Sequence, residues 1–292
     1  MLELQGKSAF VTGGTRGIGL AISELLAERG ARVVACGSTE MSVRACREQA
    51  DAAGRTIRTV KADVNREDEV AAAIKSAAEW NDGLDILVCC AGRAFRGSAL
   101  GITSSDWDEC LSLNLRGSFL AAKAALPFLA AQGDGAIVLL SSIWSITATP
   151  GRTAYIVAKS ALIALARSLA VDHAPAGVRV NTVAPGYIDT DLLRRSLSEA
   201  NPGRDVTELL EEAAAQHPLR RIGRTRDVAE AVLFLASSRS AFITGQTLIV
   251  DGGLTSQVRT SGLAEQPPRA NVAVPVAHAA IEPAPNLHRI VR

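Results

Sequence analysis

Tyr155 and Lys159 stand four positions apart in the run Ala-Tyr-Ile-Val-Ala-Lys, and Ser142 precedes the tyrosine by thirteen residues. A four-residue spacing on a helix puts both side chains on one face, where an ammonium can approach a phenol. A free phenol titrates near ~10, and an acid–base catalyst works best near ~7, a gap of about 4 kcal/mol. One cation about 4 Å away, at an effective dielectric near 20, supplies roughly that amount. The expected chemistry is proton traffic at a carbonyl oxygen. Tyr155 gives the proton during reduction and removes it during alcohol oxidation, Lys159 lowers the phenol pKa, and Ser142 hydrogen-bonds and orients the substrate oxygen.

Far upstream the chain reads Thr12-Gly13-Gly14-Thr15-Arg16-Gly17-Ile18-Gly19, just after an apolar run and at the start of a helical pattern. A helix N-terminus there offers unpaired N–H groups and positive partial charge to a pyrophosphate, and the glycines remove side chains that would block it. The spacing is G-x-x-x-G-x-G, not the commoner G-x-G-x-x-G. Three glycines also suit a plain strand-to-helix connection. The second apolar run ends Val33-Val34-Ala35-Cys36-Gly37-Ser38. An NAD site usually carries an acidic residue at this place to hold the ribose 2′-hydroxyl. Gly37 occupies it, so nothing repels a 2′-phosphate. Ser38 and Thr39 can donate hydrogen bonds and Arg16 can supply charge, which favours NADP(H) and leaves NAD(H) open. Arg16 could equally be a solvated loop charge.

The elements that must position these groups alternate. Ser8–Thr12, Arg32–Cys36, Thr56–Lys61, Asp85–Cys89, Ala136–Ser141, Arg179–Val183 and Thr247–Val250 read as strands. Helical periodicity fills Gly17–Arg29, Glu40–Ala53, Arg66–Trp80, Ser104–Ala131, Thr153–His173 and Arg226–Ala236. Asp63 and Ser104 are expected to start helices, and Gly30 and Gly54 to end them. The alternation predicts an α/β fold, a doubly wound, parallel, seven-stranded Rossmann-like sheet in a single domain. That domain spans residues 1–256. Residues 257–292 hold five of the chain's eleven prolines and read as a disordered Pro/Ala-rich tail. An alternative has Val272, Val274 and Val276 adding an edge strand or covering a neighbouring subunit.

The 292 residues are 48% hydrophobic, and 31 basic residues against 30 acidic leave a net charge of +1. That balance gives no electrostatic reason to expect nucleic acid or an anionic membrane as partner. Cys36, Cys46, Cys89, Cys90 and Cys110 show neither C-x-x-C spacing nor a secreted disulfide framework, and they read as buried thiols; no metal site is expected. The first residues run straight into a strand without a targeting pattern, and Gly135–Gly151 is broken by serines, Pro150 and glycines, so the expected setting is cytoplasmic.

Taken in order, Thr12-Gly13-x-x-x-Gly17-Ile18-Gly19, Asp63-Val64, Ala91-Gly92, Asn114, Ser142, Tyr155-x-x-x-Lys159, Pro185-Gly186 and Asp251-Gly252-Gly253 resemble the short-chain dehydrogenase/reductase family over roughly residues 6 to 253. The resemblance implies further roles. Gly13, Thr15, Arg16, Gly17, Ile18 and Gly19 would hold the cofactor phosphates. Asp63 and Val64 would meet the adenine, with a helix N-cap as the other role of Asp63. Ala91 and Gly92 would lie along the cofactor, Lys159 would hold the nicotinamide ribose, Pro185, Gly186 and Ile188 would line the nicotinamide face, and Thr190 would reach its carboxamide. Asn114 would position a water joining Lys159 to solvent. Two departures stand out: Cys90 replaces an asparagine that braces the central sheet, and Ser145 replaces a common glycine beside Trp144.

Substrate choice is expected to lie in a lid from about Tyr187 to His217, interrupted by Asn201-Pro202-Gly203. Trp144, Ile146, Phe95 and Tyr187 suggest a partly apolar pocket, with Ser142, Trp144, Tyr155 and Tyr187 touching substrate. Arg194 and Arg195 could greet an anion or be solvated surface charge. Family members that act on acyl-carrier-protein thioesters dock through basic residues near the ends of two long helices. Here those places, Ala130–Asp134 and Asp172–Pro175, hold no Lys or Arg. The expected activity is hydride transfer between NADP(H) and a ketone or secondary alcohol. A 3-oxoacyl thioester reductase is the alternative within the class, and a non-catalytic dinucleotide-binding sensor or scaffold is the alternative outside it. The family usually assembles as a homotetramer through its long helices, last helix and last strand, and Ala161, Leu162, Leu165 and Leu169 could serve that interface or the core.

Overall fold

The computed structural model describes residues 2–257, which form one compact unit; the 257–292 tail, except Gln257, and its alternative edge strand lie outside the described residues. The chain begins β1 (Ser8–Thr12), α1 (Gly17–Glu28), β2 (Arg32–Gly37), α2 (Glu40–Ala52), β3 (Ile57–Lys61), α3 (Glu67–Asn81) and β4 (Ile86–Cys89). It continues α4 (Ser104–Leu111), α5 (Gly117–Gln132), β5 (Gly135–Leu140), α6 (Thr153–His173) and β6 (Val178–Pro185). Three helices, α7 (Asp191–Ala200), α8 (Val206–Ala215) and α9 (Thr225–Ala236), then precede β7 (Thr247–Val250).

The seven strands pair in parallel in the order β3-β2-β1-β4-β5-β6-β7. The Rossmann-like reading therefore holds. Strand order reverses between β1 and β4, and the crevice beyond their carboxyl ends is where such sheets bind ligands.

The pleat explains the two layers. Phe10 points into a core with α3, α5 and α6, while Ala9 and Val11 point into the opposite core with α1 and α9. Because both faces are covered, β1 and β5 are buried throughout and read as unbroken apolar runs. Helix α6 is long and apolar enough to cross a membrane by composition alone. Here that apolarity is used in the core, since Ala158, Leu162, Ala166 and Leu169 are buried. Leu162 and Leu169 are thus core residues; Ala161 and Leu165 are half-buried.

Two local readings need correction. The expected helix Ser104–Ala131 is broken by a π-helical segment, Ser112–Arg116, in which Gly117 N–H donates to Ser112 O, five residues back. The side chain of Asn114 donates to Cys110 O at 3.1 Å, taking the carbonyl that the helix would use four residues on. Asp63 does not cap α3, whose N-cap is Arg66. The Asp63 carboxylate instead accepts from Asn65 N and Nδ2, both at 2.9 Å, in a local turn. Ser104 does begin α4, but the cap is Thr103, whose hydroxyl accepts from Asp106 N at 3.0 Å. Gly30 and Gly54 follow α1 and α2 with φ of +96° and +61°, as helix-ending glycines should.

Candidate active site

The turn after β1 is closed to side chains. Gly13 has φ +63°, and a Cβ there would lie 2.8 Å from the Ala91 backbone; one at Gly19 would lie 2.1 Å from Gly13 O. These contacts bring the β1 and β4 ends together and leave the first turn of α1 facing the crevice. Thr12 completes the junction: its Oγ1 accepts from Cys90 N at 3.1 Å and from Ala91 N at 3.2 Å. A threonine hydroxyl on β1 thus braces β4 where Cys90 removes the family asparagine, a role its sequence position did not advertise. Cys89 is buried, and Cys90 is only half-buried.

The groups expected along a dinucleotide line this crevice unevenly. Thr15 is buried, and Arg16 is exposed at the N-cap of α1. A Cβ at Gly37 would lie 2.5 Å from Thr15 Oγ1, so a side chain at position 37 would displace Thr15. Ser38 is exposed, whereas Thr39 is committed to capping α2 through Ser42 N at 3.3 Å. Val64 is buried against Gly117, whose Cβ position lies 2.8 Å from Val64 Cγ2. On the far wall, Gly186 N donates to Val250 O at 2.9 Å, Ile188 is buried, and Thr190 caps α7 through Leu193 N at 3.2 Å. Thr190 Cγ2 lies 3.9 Å from the Cβ position of Gly17, which sets this wall over the glycine turn. The narrow, side-chain-free turn, the open Ser38 and the exposed Arg16 fit a nicotinamide dinucleotide.

Asn114, Lys159 and Gly92 meet at one point. A Cβ on Gly92 would lie 2.6 Å from Asn114 Oδ1 and 3.5 Å from Lys159 Nζ. Asn114 is fully buried, and its Oδ1 accepts from Arg93 N at 3.3 Å. Lys159 is buried too, with Nζ donating to Leu140 O at 2.8 Å and standing 5.7 Å from the Tyr155 ring centroid. Ser141 Oγ donates to Lys159 O at 2.9 Å, fastening α6 to the end of β5. Ser142 follows in extended backbone, and its Oγ accepts from Trp144 N at 3.2 Å. Ser145 turns its hydroxyl back to Ser142 O rather than toward a substrate, and Trp144 meets Tyr187 edge-on at 6.4 Å. Tyr187 in turn meets the buried His217 edge-on at 5.7 Å.

The electrostatics of the protein groups differ from the expectation for Tyr155. Burial pushes the phenol up to about 12, opposed by hydrogen bonding with Ser142 and by the Arg152 charge. Burial pulls the Lys159 ammonium down to about 8, opposed by the neighbouring thiols. Desolvation outweighs attraction at both groups because Lys159 is buried, Tyr155 is partly so, and the ammonium is directed at a carbonyl. One lysine does not bring the phenol toward neutrality unaided.

The matches to known proteins agree with this architecture. The family described as enoyl-(acyl carrier protein) reductase matches residues 13–255. The oxidoreductase UcpA of Escherichia coli O157:H7 is 38% identical over 256 residues, covering 87% of this chain and 97% of that protein. The chain belongs to the short-chain dehydrogenase/reductase family. The cis-4-hydroxycyclohexanecarboxylate dehydrogenase of Sinomonas cyclohexanicum is 41% identical over 249 residues, covering 85% of this chain and 96% of that one. Among solved structures, the ligand-free aldohexose dehydrogenase of Thermoplasma acidophilum superposes with a TM-score of 0.82 at 32% identity, covering 90% of this chain and 99% of that one. The protein is an NAD(P)-dependent oxidoreductase of this family acting on CH–OH/C=O groups.

Proposed function

We propose that the protein interconverts a small ketone and its secondary alcohol using NADP(H), with Tyr155 as the general acid and base. The supporting observation is a connected group: Asn114 and Lys159 meet beside Gly92, Lys159 Nζ stands 5.7 Å from the Tyr155 ring, and Tyr155 hydrogen-bonds with Ser142 just after β5. A non-catalytic sensor has no need of all four. Bound cofactor supplies or accepts the hydride and, when oxidised, adds positive charge beside the phenol. Tyr155 passes the proton to or from the substrate oxygen, and Ser142 holds that oxygen in line. Lys159 keeps a buried cation on the tyrosine face, and Asn114 orders a water from there toward solvent. Gly13 to Gly19 cradle the phosphates, Asp63 and Val64 border the adenine, Ala91 and Gly92 run along the cofactor, and Pro185, Gly186, Ile188 and Thr190 form the nicotinamide wall.

Preference for NADP(H) rests on the absence of an acidic side chain at position 37, on the open Ser38 and on exposed Arg16. Helices α7 and α8, separated at Asn201–Gly203, serve as the lid, and Trp144 and Tyr187 line the substrate space. The named substrates of two relatives, a ring alcohol bearing a carboxylate and an aldohexose, support small polar alcohols. Other relatives are named 3-oxoacyl-(acyl-carrier-protein) reductases, and against that substrate stands the lack of Lys or Arg at the ends of the two long helices. Exposed Leu248 and Ile249 on the edge strand β7 support assembly of further copies there, as a tetramer. A cytoplasmic setting accords with five free cysteines among the described residues.

Oxidation or reduction followed at the reduced-nicotinamide absorbance band, across ketones, sugars, polyols and hydroxy acids, tests the reading. Tyr155→Phe should lower turnover about 10²- to 10⁴-fold while cofactor binding persists. Retention of most turnover in that variant would exclude Tyr155 as the proton donor.

A further inference from the structure

Two arginines outside the proton-transfer group converge where a substrate would enter. The segment after β4 pairs with the loop before α6: Gly97 N donates to Gly151 O at 2.8 Å, and Thr153 N donates to Gly97 O at 3.1 Å. That bridge seats Arg96 and Arg152 on neighbouring backbones, although they lie far apart in the chain. Both guanidinium groups then reach one residue of α7. Arg152 Nη2 donates to Ser196 Oγ at 3.0 Å, and Arg96 Nη2 donates to the same oxygen at 3.2 Å and to Ser196 O.

No carboxylate of the described residues forms an ion pair with either one. The contrast with their neighbours is sharp. Arg93 is paired with Glu109 at 2.7 Å, Arg194 with Asp189 at 2.8 Å, and Arg204 with Glu212 at 2.6 Å. Arg194 is thus paired with a carboxylate, and exposed Arg195 donates to Asp191 O at 3.3 Å. Arg152 is half-buried, and its charge is opposed by desolvation and then by the like charge of Arg96, with Tyr155 and Tyr187 the groups that favour it. Two cations held together around a single hydroxyl, one of them partly desolvated, are a poor resting arrangement. An anion placed between them converts the repulsion into charge-assisted, bidentate hydrogen bonding. Arg152 precedes Tyr155 by three residues and its charge acts on the phenol, so an anion held here lies on the same side of the site as an oxygen held by Ser142 and Tyr155.

We infer that Arg152, Arg96 and the Ser196 hydroxyl form a carboxylate subsite, and that the substrate is a small hydroxy or oxo acid whose carboxylate is remote from the reacting carbon. Because Ser196 belongs to α7, the bound carboxylate also ties that helix down over the site. The inference rests on the oxidoreductase reading for the step at the carbonyl, and the subsite can be read separately from turnover.

The test compares acids with their neutral esters: 4-oxopentanoate and 4-oxocyclohexanecarboxylate against the two methyl esters. Both kcat/KM and calorimetric binding to the cofactor complex are measured in the unaltered protein, in Arg152→Met and in Arg96→Gln. The acid should be favoured over its ester by roughly tenfold to a hundredfold in the unaltered protein. That ratio should collapse toward one in Arg152→Met and fall in Arg96→Gln, whose exposed side chain can be changed with little risk to folding. Equal use of acid and ester, or equal losses for both in the variants, would mean the arginines only tether α7, and the subsite would be refuted. Binding of neither acid nor ester would refute it as well. Selective binding of the acids with no turnover of any carbonyl would leave the subsite standing and overturn the oxidoreductase reading instead.

Discussion

Lys159 offers a way to measure how strongly burial opposes a charge in this site. Its ammonium is fully enclosed and pulled from 10.5 down to about 8. At about 1.36 kcal/mol for each tenfold change, that difference corresponds to roughly 3 kcal/mol of destabilisation while the group is charged in both states. The sign follows from proton counting. Between about pH 8 and 10.5 the unfolded chain keeps a proton that the folded protein has lost, so stability rises with pH across this window. The gain should be about 1.4 kcal/mol by pH 9 and about 3 kcal/mol near pH 10.5.

Other groups oppose it. Burial raises the thiols of Cys36, Cys46, Cys89, Cys90 and Cys110, so the folded protein keeps protons there that the unfolded chain sheds above about pH 8.5, and stability falls. Tyr155 acts in the same direction above about pH 10. The measurement is therefore a difference: urea unfolding of the cofactor-free protein and of Lys159→Met, at matched concentration, from pH 6.5 to 10.5. The common alkaline decline cancels, and the lost hydrogen bond to Leu140 O enters mainly as a constant offset. Stability of the unaltered protein relative to Lys159→Met should climb by about 3 kcal/mol across the range. A flat difference would refute the claim that Lys159 is charged and desolvated in the folded protein at neutral pH.

Ser38→Asp should weaken NADP(H) binding about tenfold or more by placing a carboxylate at the proposed 2′-phosphate position, with NAD(H) affected far less. Cofactor titration by reduced-nicotinamide fluorescence reads this, and equal losses for the two cofactors would move the phosphate elsewhere. Thr12→Val keeps the shape and the Cys90 N bond to Thr12 O, but leaves the half-buried N–H of Ala91 without its partner, at a cost of roughly 1 kcal/mol. Denaturant midpoints check that value, and an unchanged midpoint would dismiss Thr12 as the brace between β1 and β4.

Much of this protein is written locally. Short apolar runs and amphipathic segments gave all seven strands to within a residue or two, because pleat and helix periods act over neighbouring positions. The glycine turn and the Tyr155–Lys159 spacing were legible for the same reason: both depend on residues a few positions apart. The break at Asn114 was not, since apolar periodicity runs on through Ser112–Arg116, where the Asn114 side chain bonds to Cys110 O. Nor could spacing foretell that Asp63 would fold onto Asn65 rather than cap a helix, as both roles suit an aspartate before a helical run.

By itself, then, the sequence determined the order of the strands along the chain, a glycine turn suited to phosphates and the Tyr155–Lys159 pair proposed to move the proton. The tertiary structure decided which unpaired charges meet and how much water each retains. Arg96 joins Arg152 only because the loop after β4 pairs with the approach to α6, and Tyr155 and Lys159 are shifted by enclosure that involves β4, β5 and α6 together. Desolvation and like-charge repulsion depend on separations across the fold, and linear spacing carries no record of those distances.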